Sequence, residues 1–507
     1  MARSKQRSLP SSLPAPVGGW NARDSIAAMN PTDAVSMVNM FPRTTDVILR
    51  EGYSDHVTGI TGQVESLMAY NGADTSEMYA IAVDSVYNVT TAGAVGAAVL
   101  GSLTNARWQY INIATAGGNF LEMCNGADGV HTYNGTSWVN QAGNISGVTS
   151  STLIGINLHK NRVWFVQKDT LTAWYLPTQS ISGAAKSLDL RSYCPHGGFL
   201  MAIDTWTIDA GYGVDDLLVC VTSEGDVAVF RGTDPASATT WAIVGVWFIG
   251  SPVGRRCLVK YAGDLLIITQ DGLQSMSAAL QSSRTNPRAS LTDKILSEMS
   301  TAVLNSGANY GWETTHFPKV DMLVLNVPVN EGNLQQQYAM NTITGSWCNF
   351  QGWEANTFCL FNDLLFFGGN KLVAKAWDTQ QDSGSDINAE TQQAFSYFDS
   401  PGQMKRFTMM RPTFQLNGSV SVQGNINVDF DTTSPVSGIS TAPFLGGLWD
   451  TATFDNTLWS DDLSLSRVWQ GTTGFGYSGG PRLKVVGDGK KLRWLSTEVV
   501  YEPGGIL

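Results

Sequence analysis

Residues 359–377, CLFNDLLFFGGNKLVAKAW, contain the pattern that decides the fold. An apolar segment runs into a tight polar turn, a strongly apolar segment follows, and a second turn leads into a third apolar segment. Residues 157–176 (NLHKNRVWFVQKDTLTAWYL) and 259–278 (VKYAGDLLIITQDGLQSMSA) repeat this order. Short apolar runs bounded by turn residues are typical of β-strands, so each copy predicts a small antiparallel sheet.

Looser copies of the unit recur along the chain. The central apolar strand of each copy begins near residues 78, 120, 163, 217, 265, 321 and 364. Units of about 40–50 residues with three or four short strands are typical of β-propeller blades, because only neighbours in a ring can cover both apolar faces of such a unit. Seven units are visible, and their divergence leaves a count of six to eight blades open.

The composition also favours an all-β protein. Only 15% of the 507 residues are charged, against about 25% in an average globular domain. Glycine is frequent, with 52 residues, and there are 16 tryptophans. One segment differs: residues 290–304, SLTDKILSEMSTAVL, place apolar side chains at helical spacing and predict one inserted helix. That helix either covers a blade edge or packs against another element.

The chain divides into four predicted parts. They are an extended N-terminal arm (1–53), the propeller (54–378), a polar linker (379–394) and a C-terminal antiparallel β domain of sandwich-like form (395–507). The linker is predicted because its residues, TQQDSGSDINAETQQA, are polar and include no aromatic side chain. In the last part, Asn417-Gly418 and Asp488-Gly489 predict the turns of two β-hairpins.

The arm supplies the candidate assembly contacts. Its beginning is basic and its remainder carries scattered apolar side chains that would be costly to leave in water, at roughly 25 cal/mol per Å². The residues we expect to contact a neighbouring subunit are Arg3, Lys5, Arg7, Trp20, Met29, Met40 and Phe41. Two alternatives stay open: a strap lying on the chain's own propeller, and a basic tail without a role.

No pattern predicts catalysis, a cofactor or a metal. Residues 474–479, GFGYSG, match the dinucleotide-binding GxGxxG string, but a β segment follows where that motif needs a helix. Residues 476–480 match GxSxG, but no histidine follows His316. Cys220 and Cys359 lie in apolar runs and are predicted to be buried thiols. The chain is therefore predicted not to be an enzyme, although two carboxylates could still meet in a propeller funnel.

The net charge of -12 disfavours tight binding of nucleic acid, since readers of nucleic acid usually carry a basic domain. An acidic surface would still let duplex DNA pass without sticking. The basic pairs Arg255-Arg256 and Lys490-Lys491 are expected at subunit contacts or on solvated faces. The sequence contains no run of 18 apolar residues, so no transmembrane helix is predicted. The first residues do not predict a secretory signal.

Both ends of the chain resemble a known family. Residues 13–53, LPAPVGGWNARDSIAAMNPTDAVSMVNMFPRTTDVILREGY, contain a PAPVGG-x-N-x-R-D stretch, an M-x-P-x-D-A-V stretch and an N-x-F-P-R stretch before a Gly-Tyr pair. The ending, VVYEPGGIL (499–507), completes the resemblance. These features are similar to those of the tail hub, or nozzle, proteins of short-tailed bacteriophages.

The resemblance implies a structural virion protein with a β-propeller body. Such proteins form a homo-hexameric ring below the portal and adaptor, meet tail fibre or tail tip proteins, and surround the channel through which duplex DNA leaves non-specifically. The implied location is the virion tail after assembly in the host cytoplasm, and the family offers no catalytic residues to carry over. Two alternative functions stay open: a receptor- or glycan-binding tail protein, and a β-propeller glycoside hydrolase.

Overall fold

The computed structural model describes residues 8–209, 214–279, 290–441 and 463–506. The fold is all-β, and its body is a β-propeller. Seven antiparallel sheets of three or four strands follow one another through the described part of the body. Each of the seven predicted central strands is the second strand of a blade, which confirms the repeat and its register.

The strand bounds of the first four blades are as follows. Blade 1 uses the second half of Tyr53–Asn71, then Ser76–Ala82 and Ser85–Asn88; blade 2 has Gln109–Thr115, Gly118–Cys124, His131–Tyr133 and Trp138–Asn140; blade 3 has Leu153–His159, Arg162–Gln167, Thr172–Tyr175 and Lys186–Asp189; blade 4 has Leu200–Asp209, Val214–Thr222, Asp226–Gly232 and Trp241–Phe248.

The remaining blades complete the ring. Blade 5 has Leu258–Tyr261, Asp264–Thr269 and Gly272–Ser275; blade 6 has Glu313–Phe317, Met322–Asn330, Leu334–Asn341 and Trp347–Gln351; blade 7 has Thr357–Phe361, Leu364–Gly368 and Asn370–Ala376. Short strands outside the blades pair as Ile145–Ser146 with Gly183–Ala184, and as Gly93–Ala94 with the first half of Tyr53–Asn71.

One long strand closes the ring. The first half of Tyr53–Asn71 is the outer strand of blade 7, where Tyr53 pairs with Ala376. Its second half is the inner strand of blade 1, where Asn71 pairs with Ser76. Sharing a strand between the first and last blades leaves neither blade with an unpaired edge at the junction.

Alternating side chains bind each blade to both neighbours. In Val214–Thr222 of blade 4, Leu218 and Cys220 pack against blade 3, whereas Leu217 and Val219 pack against blade 5. A strand buried on both faces has no reason to alternate apolar with polar residues, which explains the continuous apolar runs in the sequence. All six cysteines are free and buried, as predicted for Cys220 and Cys359.

The inserted helix forms close to its predicted position. A 3₁₀ turn, Asp293–Ile295, leads into helix α2, Leu296–Ser306, and a four-residue helix α1, Met276–Ala279, precedes it. Helix α2 also contacts the N-terminal segment, because Ser297 Oγ donates to the Ala22 carbonyl oxygen at 2.9 Å. Two further 3₁₀ turns are Ser150–Thr152 and Pro318–Val320.

The predicted arm lies on its own chain as a series of strands. These are Leu9–Pro14, Gly19–Trp20, Asp33–Val38, Met40–Pro42 and Val47–Leu49. Asp33–Val38 lies between blade 6 and the C-terminal part, joining Asn349 on one side to Asn388–Gln393 on the other. We call residues 8–52 and 379–506, as far as the structure describes them, the end module.

The segment predicted as a linker differs from the prediction. Residues 379–394 contain the strands Gln381–Asp382, Ser385–Asp386 and Asn388–Gln393, and the last of these is central to a ten-stranded sheet. Gln392 and Gln393 are fully buried. Their polarity serves hydrogen bonds: Gln393 Nε2 donates to the carbonyl oxygens of Pro14 and Pro31, each at 2.8 Å. The polar composition of this segment therefore belongs to a buried strand and not to a linker.

The C-terminal part is a two-sheet sandwich. One sheet continues blade 6 through Asp33–Val38, Asn388–Gln393, Gly479–Val486, Ser421–Val428 and Gly438–Ile439. The other contains Leu9–Pro14, Met40–Pro42, Val47–Leu49, Gln403–Leu416, Ser464–Arg467, Gln470–Gly476 and Leu492–Ile506. Asn417-Gly418 and Asp488-Gly489 each connect strands of different sheets, so the two predicted hairpins are wrong.

Candidate functional site: the axis of the propeller

The inner strands of all seven blades surround a cavity of about 270 Å³ on the propeller axis. Every blade contributes at least one residue to its wall. The residues are Leu67, Trp108, Gln109, Tyr110, Ile111, Ile156, Asn157, Ala202, Ile203, Asp204, Arg255, Arg256, Leu258, Glu313, Thr314, Thr357 and Phe358. The cavity is therefore the narrowed centre of the ring.

Arg256 crosses this centre and ties the blades together. The residue precedes the inner strand of blade 5, and its Nη1 donates to Glu313 Oε2 of blade 6 at 2.9 Å and to Thr357 Oγ1 of blade 7 at 2.8 Å. Its Nη2 donates to Ser66 Oγ at 2.8 Å and to the Trp108 carbonyl oxygen at 3.0 Å. One guanidinium thus links blades 1, 2, 6 and 7 and closes the axis.

A tyrosine and a second arginine cover the outer side of Arg256. The guanidinium carbon of Arg256 lies 5.2 Å from the centroid of the Tyr310 ring, and that of Arg107 lies 4.4 Å from the same centroid. Arg107 Nε is 3.0 Å from Glu65 Oε1, and Arg107 also pairs with Glu331. Cation–π contacts and ion pairs at one point make the closure rigid.

The pKa directions agree with a permanently charged arginine that is largely, but not fully, removed from water. Burial alone would lower the pKa of Arg256, but Tyr310 and Glu313 beside it raise that pKa above the ordinary value. Burial raises the pKa of the Tyr110 hydroxyl well above its usual range. The axis therefore holds an ion pair with neutral tyrosines around it.

Two carboxylates, Asp204 and Glu313, line the axial cavity. Glu313 accepts hydrogen bonds from Arg256 and, through Oε1, from the Phe358 amide at 2.9 Å. Burial raises the pKa of Asp204, while Lys260, 3.3 Å from its Oδ1, acts against that rise. The hydrogen bonds to Glu313 account for its position without a catalytic role.

The predicted assembly residues fall into two groups. Arg3, Lys5 and Arg7 lie outside the described residues. Trp20, Met29, Met40 and Phe41 are buried within this chain, each with less than a tenth of its surface exposed. As buried side chains they do not offer a contact surface to another subunit, so the structure matches the alternative of a strap on the chain itself.

Ring contacts show what the buried apolar residues of the strap do. Trp20 meets the Tyr338 ring of blade 6 edge-on at 5.5 Å between centroids. Phe41 lies 5.7 Å from Trp377 and 6.1 Å from Phe350. The apolar side chains that the sequence assigned to assembly therefore hold the end module on blades 6 and 7.

The axial ion pair was missed by the sequence reasoning. Arg255-Arg256 was expected on a contact or solvated face, whereas Arg256, with its side chain 18% exposed, lies at the centre of the ring. Its partner Glu313 lies 57 positions further along the chain, so spacing gives no hint of the pair. The one available signal was the position of the arginines directly before the apolar strand CLVKY.

Within the part of the chain that the structure describes, no group of three His, Cys, Asp or Glu residues is placed to hold a metal ion. The same described residues include no helix long and apolar enough to cross a membrane. The glycine-rich strings at 474–480 lie on and between two strands, Gln470–Gly476 and Gly479–Val486, and the described residues after them, up to 506, include no helix.

No protein-family model matches the chain, and no curated protein matches it. Among solved structures, the β-propeller domain of Myceliophteria thermophila Cps50 (Swd1) is similar at 12% identity and a TM-score of 0.39, covering 64% of this chain and 98% of that one. BBS1N, in a complex with ARL6DN, is similar at 9% identity and a TM-score of 0.39, covering 64% and 97%. The strand pairing of the chain itself establishes the propeller.

Proposed function

We propose that this chain is a structural virion protein, the tail hub or nozzle of a short-tailed bacteriophage. The main support is the position of the two end segments that resemble the nozzle family. Leu9–Pro14 pairs with Leu492–Ile506 in one sheet, from Leu9 opposite Tyr501 to Pro14 opposite Ser496. Val47–Leu49 pairs with the same C-terminal strand. The stretches that resemble the nozzle family thus belong to one structural unit.

In this proposal the propeller is the body of each subunit and the DNA passes between subunits. The axis supports that division, because Arg256 and its hydrogen-bond partners span it and leave a cavity of only about 270 Å³. Duplex DNA, whose major groove alone is about 12 Å wide, has no path through such an axis. Six copies around a common channel would conduct the duplex without binding it, and the net charge of -12 per chain favours that passage.

The outer face of the C-terminal sheet is the surface we assign to a neighbouring copy. Phe475 is 62% exposed and Leu465 is 53% exposed there. Met409 lies on the strand that pairs with both of theirs, and Trp469 lies between their two strands. Exposed apolar side chains bordered by charged ones are typical of protein contacts. A second copy is the occupant because this sheet also holds both end segments that resemble ring-forming proteins.

The proposal includes no catalytic step and no cofactor. The remaining partners, implied by the resemblance, are the portal or adaptor ring above and tail fibre or tail tip proteins below. The implied location is the virion tail, after assembly in the host cytoplasm.

Mass photometry and negative-stain images of the purified full chain over a wide concentration range test the proposal. We expect rings with sixfold symmetry, and we expect Phe475→Asp to reduce their number. Ile343→Asp is the matched control, since Ile343 is 65% exposed and lies in the turn between two strands of blade 6. A protein that stays monomeric at every concentration would contradict the proposal. Rings of another symmetry than sixfold that form equally well in both variants would also contradict it.

A further inference from the structure

A second cavity, of about 410 Å³, opens beside the closed axis and shares Gln109, Arg255 and Arg256 with the axial cavity. Its wall comes from the segments that lead into the inner strands of blades 2, 5 and 6, and from turns of blades 2 and 3. A concave site of this volume is in the range of pockets that hold small molecules.

The charge of this pocket is opposite to that of the chain. Arg107, Lys168, Arg255 and Arg256 line it, and no Asp or Glu is among its described lining residues. The whole chain has a net charge of -12. A cleft lined by charges of one sign raises the local concentration of ions of the other sign.

Two of the four basic groups already have carboxylate partners. Arg256 Nη1 is 2.9 Å from Glu313 Oε2, and Arg107 Nε is 3.0 Å from Glu65 Oε1. These pairs build the wall of the pocket. The positive charges that remain available to a ligand are those of Arg255 and Lys168.

Arg255 and Lys168 form no ion pair within the described part of the chain, and the Asp169 carboxylate acts on Arg255 only from beyond salt-bridge distance. Arg255 donates one long hydrogen bond, from Nη1 to the Met201 carbonyl oxygen at 3.3 Å, and its guanidinium lies 5.3 Å from the Phe199 ring centroid. Burial lowers the pKa of Arg255. Asp169 offsets that burial only in part, and a half-buried guanidinium without a directly bound carboxylate gains from an anion that supplies the missing charge.

A neutral donor and an apolar wall complete the site. The side-chain amide of Gln109 lines the pocket and makes no hydrogen bond among the described residues. Ile154 and Trp312 add apolar surface. A guanidinium offers two parallel N–H groups, which match the two oxygens of a carboxylate or a phosphate.

We propose that this pocket binds a small oxyanion, a carboxylate or phosphate group on a molecule of about monosaccharide size, with Arg255 and Lys168 as its charged contacts. The inference is independent of ring formation and goes beyond a structural role. A bacterial surface offers both kinds of group, in acidic sugars and in phosphorylated sugars, so the probes must separate the two sources.

Isothermal titration of the full chain with glucuronate, glucose 6-phosphate, inorganic phosphate and glucose, at constant ionic strength, tests the proposal. We expect saturable binding of at least one oxyanion and none of glucose. Preference for glucuronate would indicate acidic sugars, and preference for the two phosphates would indicate phosphorylated sugars. Loss of one charged hydrogen-bonding group is expected to weaken binding about tenfold.

Two variants and one control decide the assignment. Arg255→Gln and Lys168→Gln should each weaken binding, whereas Lys186→Gln, on the outer strand of blade 3, should leave it unchanged. Lys168 is exposed, so its variant decides the question should Arg255→Gln fail to fold. Absence of saturable binding by every oxyanion, or binding that is unchanged in Lys168→Gln and Arg255→Gln, would overturn the proposal.

Discussion

The propeller and the end module are both built from β-strands, but their strands find partners in opposite ways. In blade 4, Leu217 pairs with Arg231 in the next strand of the same blade. In the end module, Leu9 pairs with Tyr501 and Val38 pairs with Glu390. Contacts between distant residues require closing long loops, which costs conformational entropy. The strand pairs within each blade are therefore local, and among the described blade strands only the closing strand Tyr53–Asn71 joins distant parts of the ring, whereas the end module depends throughout on both ends of the chain.

Each region contains an arginine that is largely removed from solvent and paired with a carboxylate. Arg50, which is fully buried, donates to Asp382 through Nη1 at 2.8 Å and through Nη2 at 2.6 Å, and to the Gln351 carbonyl oxygen at 2.6 Å. It thereby fixes the end module to blade 6. Arg256 and Glu313 form the corresponding ion pair at the propeller axis, where they hold blades together. The two pairs make the comparison open to experiment.

The largest expected effect comes from deleting residues 1–45. The deletion removes Asp33–Val38, the strand that joins blade 6 to Asn388–Gln393 within one ten-stranded sheet. We expect the strands within residues 395–441 and 463–506 to lose protection in hydrogen exchange measured by mass spectrometry, while the second strands of the blades stay protected. Blades that lose protection together with the end module would show that the two regions fold as one unit.

Arg50→Met is expected to cost about 3–5 kcal/mol, because it leaves the Asp382 carboxylate without its partner. Urea denaturation measures the loss, and hydrogen exchange should place it first in the end module. Arg191→Met is the control: its side chain is 77% exposed, and we expect a change within about 0.5 kcal/mol. Equal losses in the two variants would show that the Arg50 network does not hold the junction.

Arg256→Met is expected to cost about 3 kcal/mol, because Glu313 and several acceptors on the axis lose their donor. The loss should fall on the ring, so exchange should rise in the inner strands of blades 1, 6 and 7 before it rises in the end module. The reverse order would contradict a central role for this ion pair.

Glu122 of blade 2 gives a prediction about pH. Its side chain is fully buried, neither carboxyl oxygen has a hydrogen-bond partner among the described residues, and burial raises its pKa well above the ordinary value. The folded state therefore keeps this proton at a pH where the unfolded chain has released it. Stability from this group is present at low pH and falls as pH rises above the ordinary pKa, by about 1.4 kcal/mol per pH unit until the folded pKa is reached.

Glu122→Gln should remove that dependence. The variant is expected to gain stability relative to the natural chain at pH 8 and to gain little near pH 4, as measured by urea denaturation at each pH. Glu298→Gln, at an exposed position of helix α2, should show no such trend. Parallel stability curves for the Glu122→Gln variant and the natural chain would show that Glu122 is not a buried neutral acid.

The sequence predicted the local half of this structure. The seven central strands, the inserted helix and the buried cysteines all follow from residues close together in the chain. Asp488 and Gly489 have φ angles of 47° and 65°, which is the backbone of a tight hairpin-type turn that such a pair favours. The turn geometry was predictable because two residues determine it.

The sequence did not predict which distant strands pair. Gly479–Val486 and Leu492–Ile506 flank the Asp488-Gly489 turn but enter different sheets, because each has a better partner elsewhere in the chain. Asn388–Gln393 was mistaken for a linker since its polar side chains are satisfied by distant backbone groups. The axial pair of Arg256 and Glu313 likewise depends on ring closure, which no local pattern encodes.

Two-dimensional class averages from electron cryomicroscopy of the assembled protein test the central claim most directly. We predict six propellers around one central channel, each with its own axis displaced from that channel and closed by Arg256. A single propeller whose own axis coincides with an open channel, or particles that contain only isolated chains at every concentration, would contradict the account.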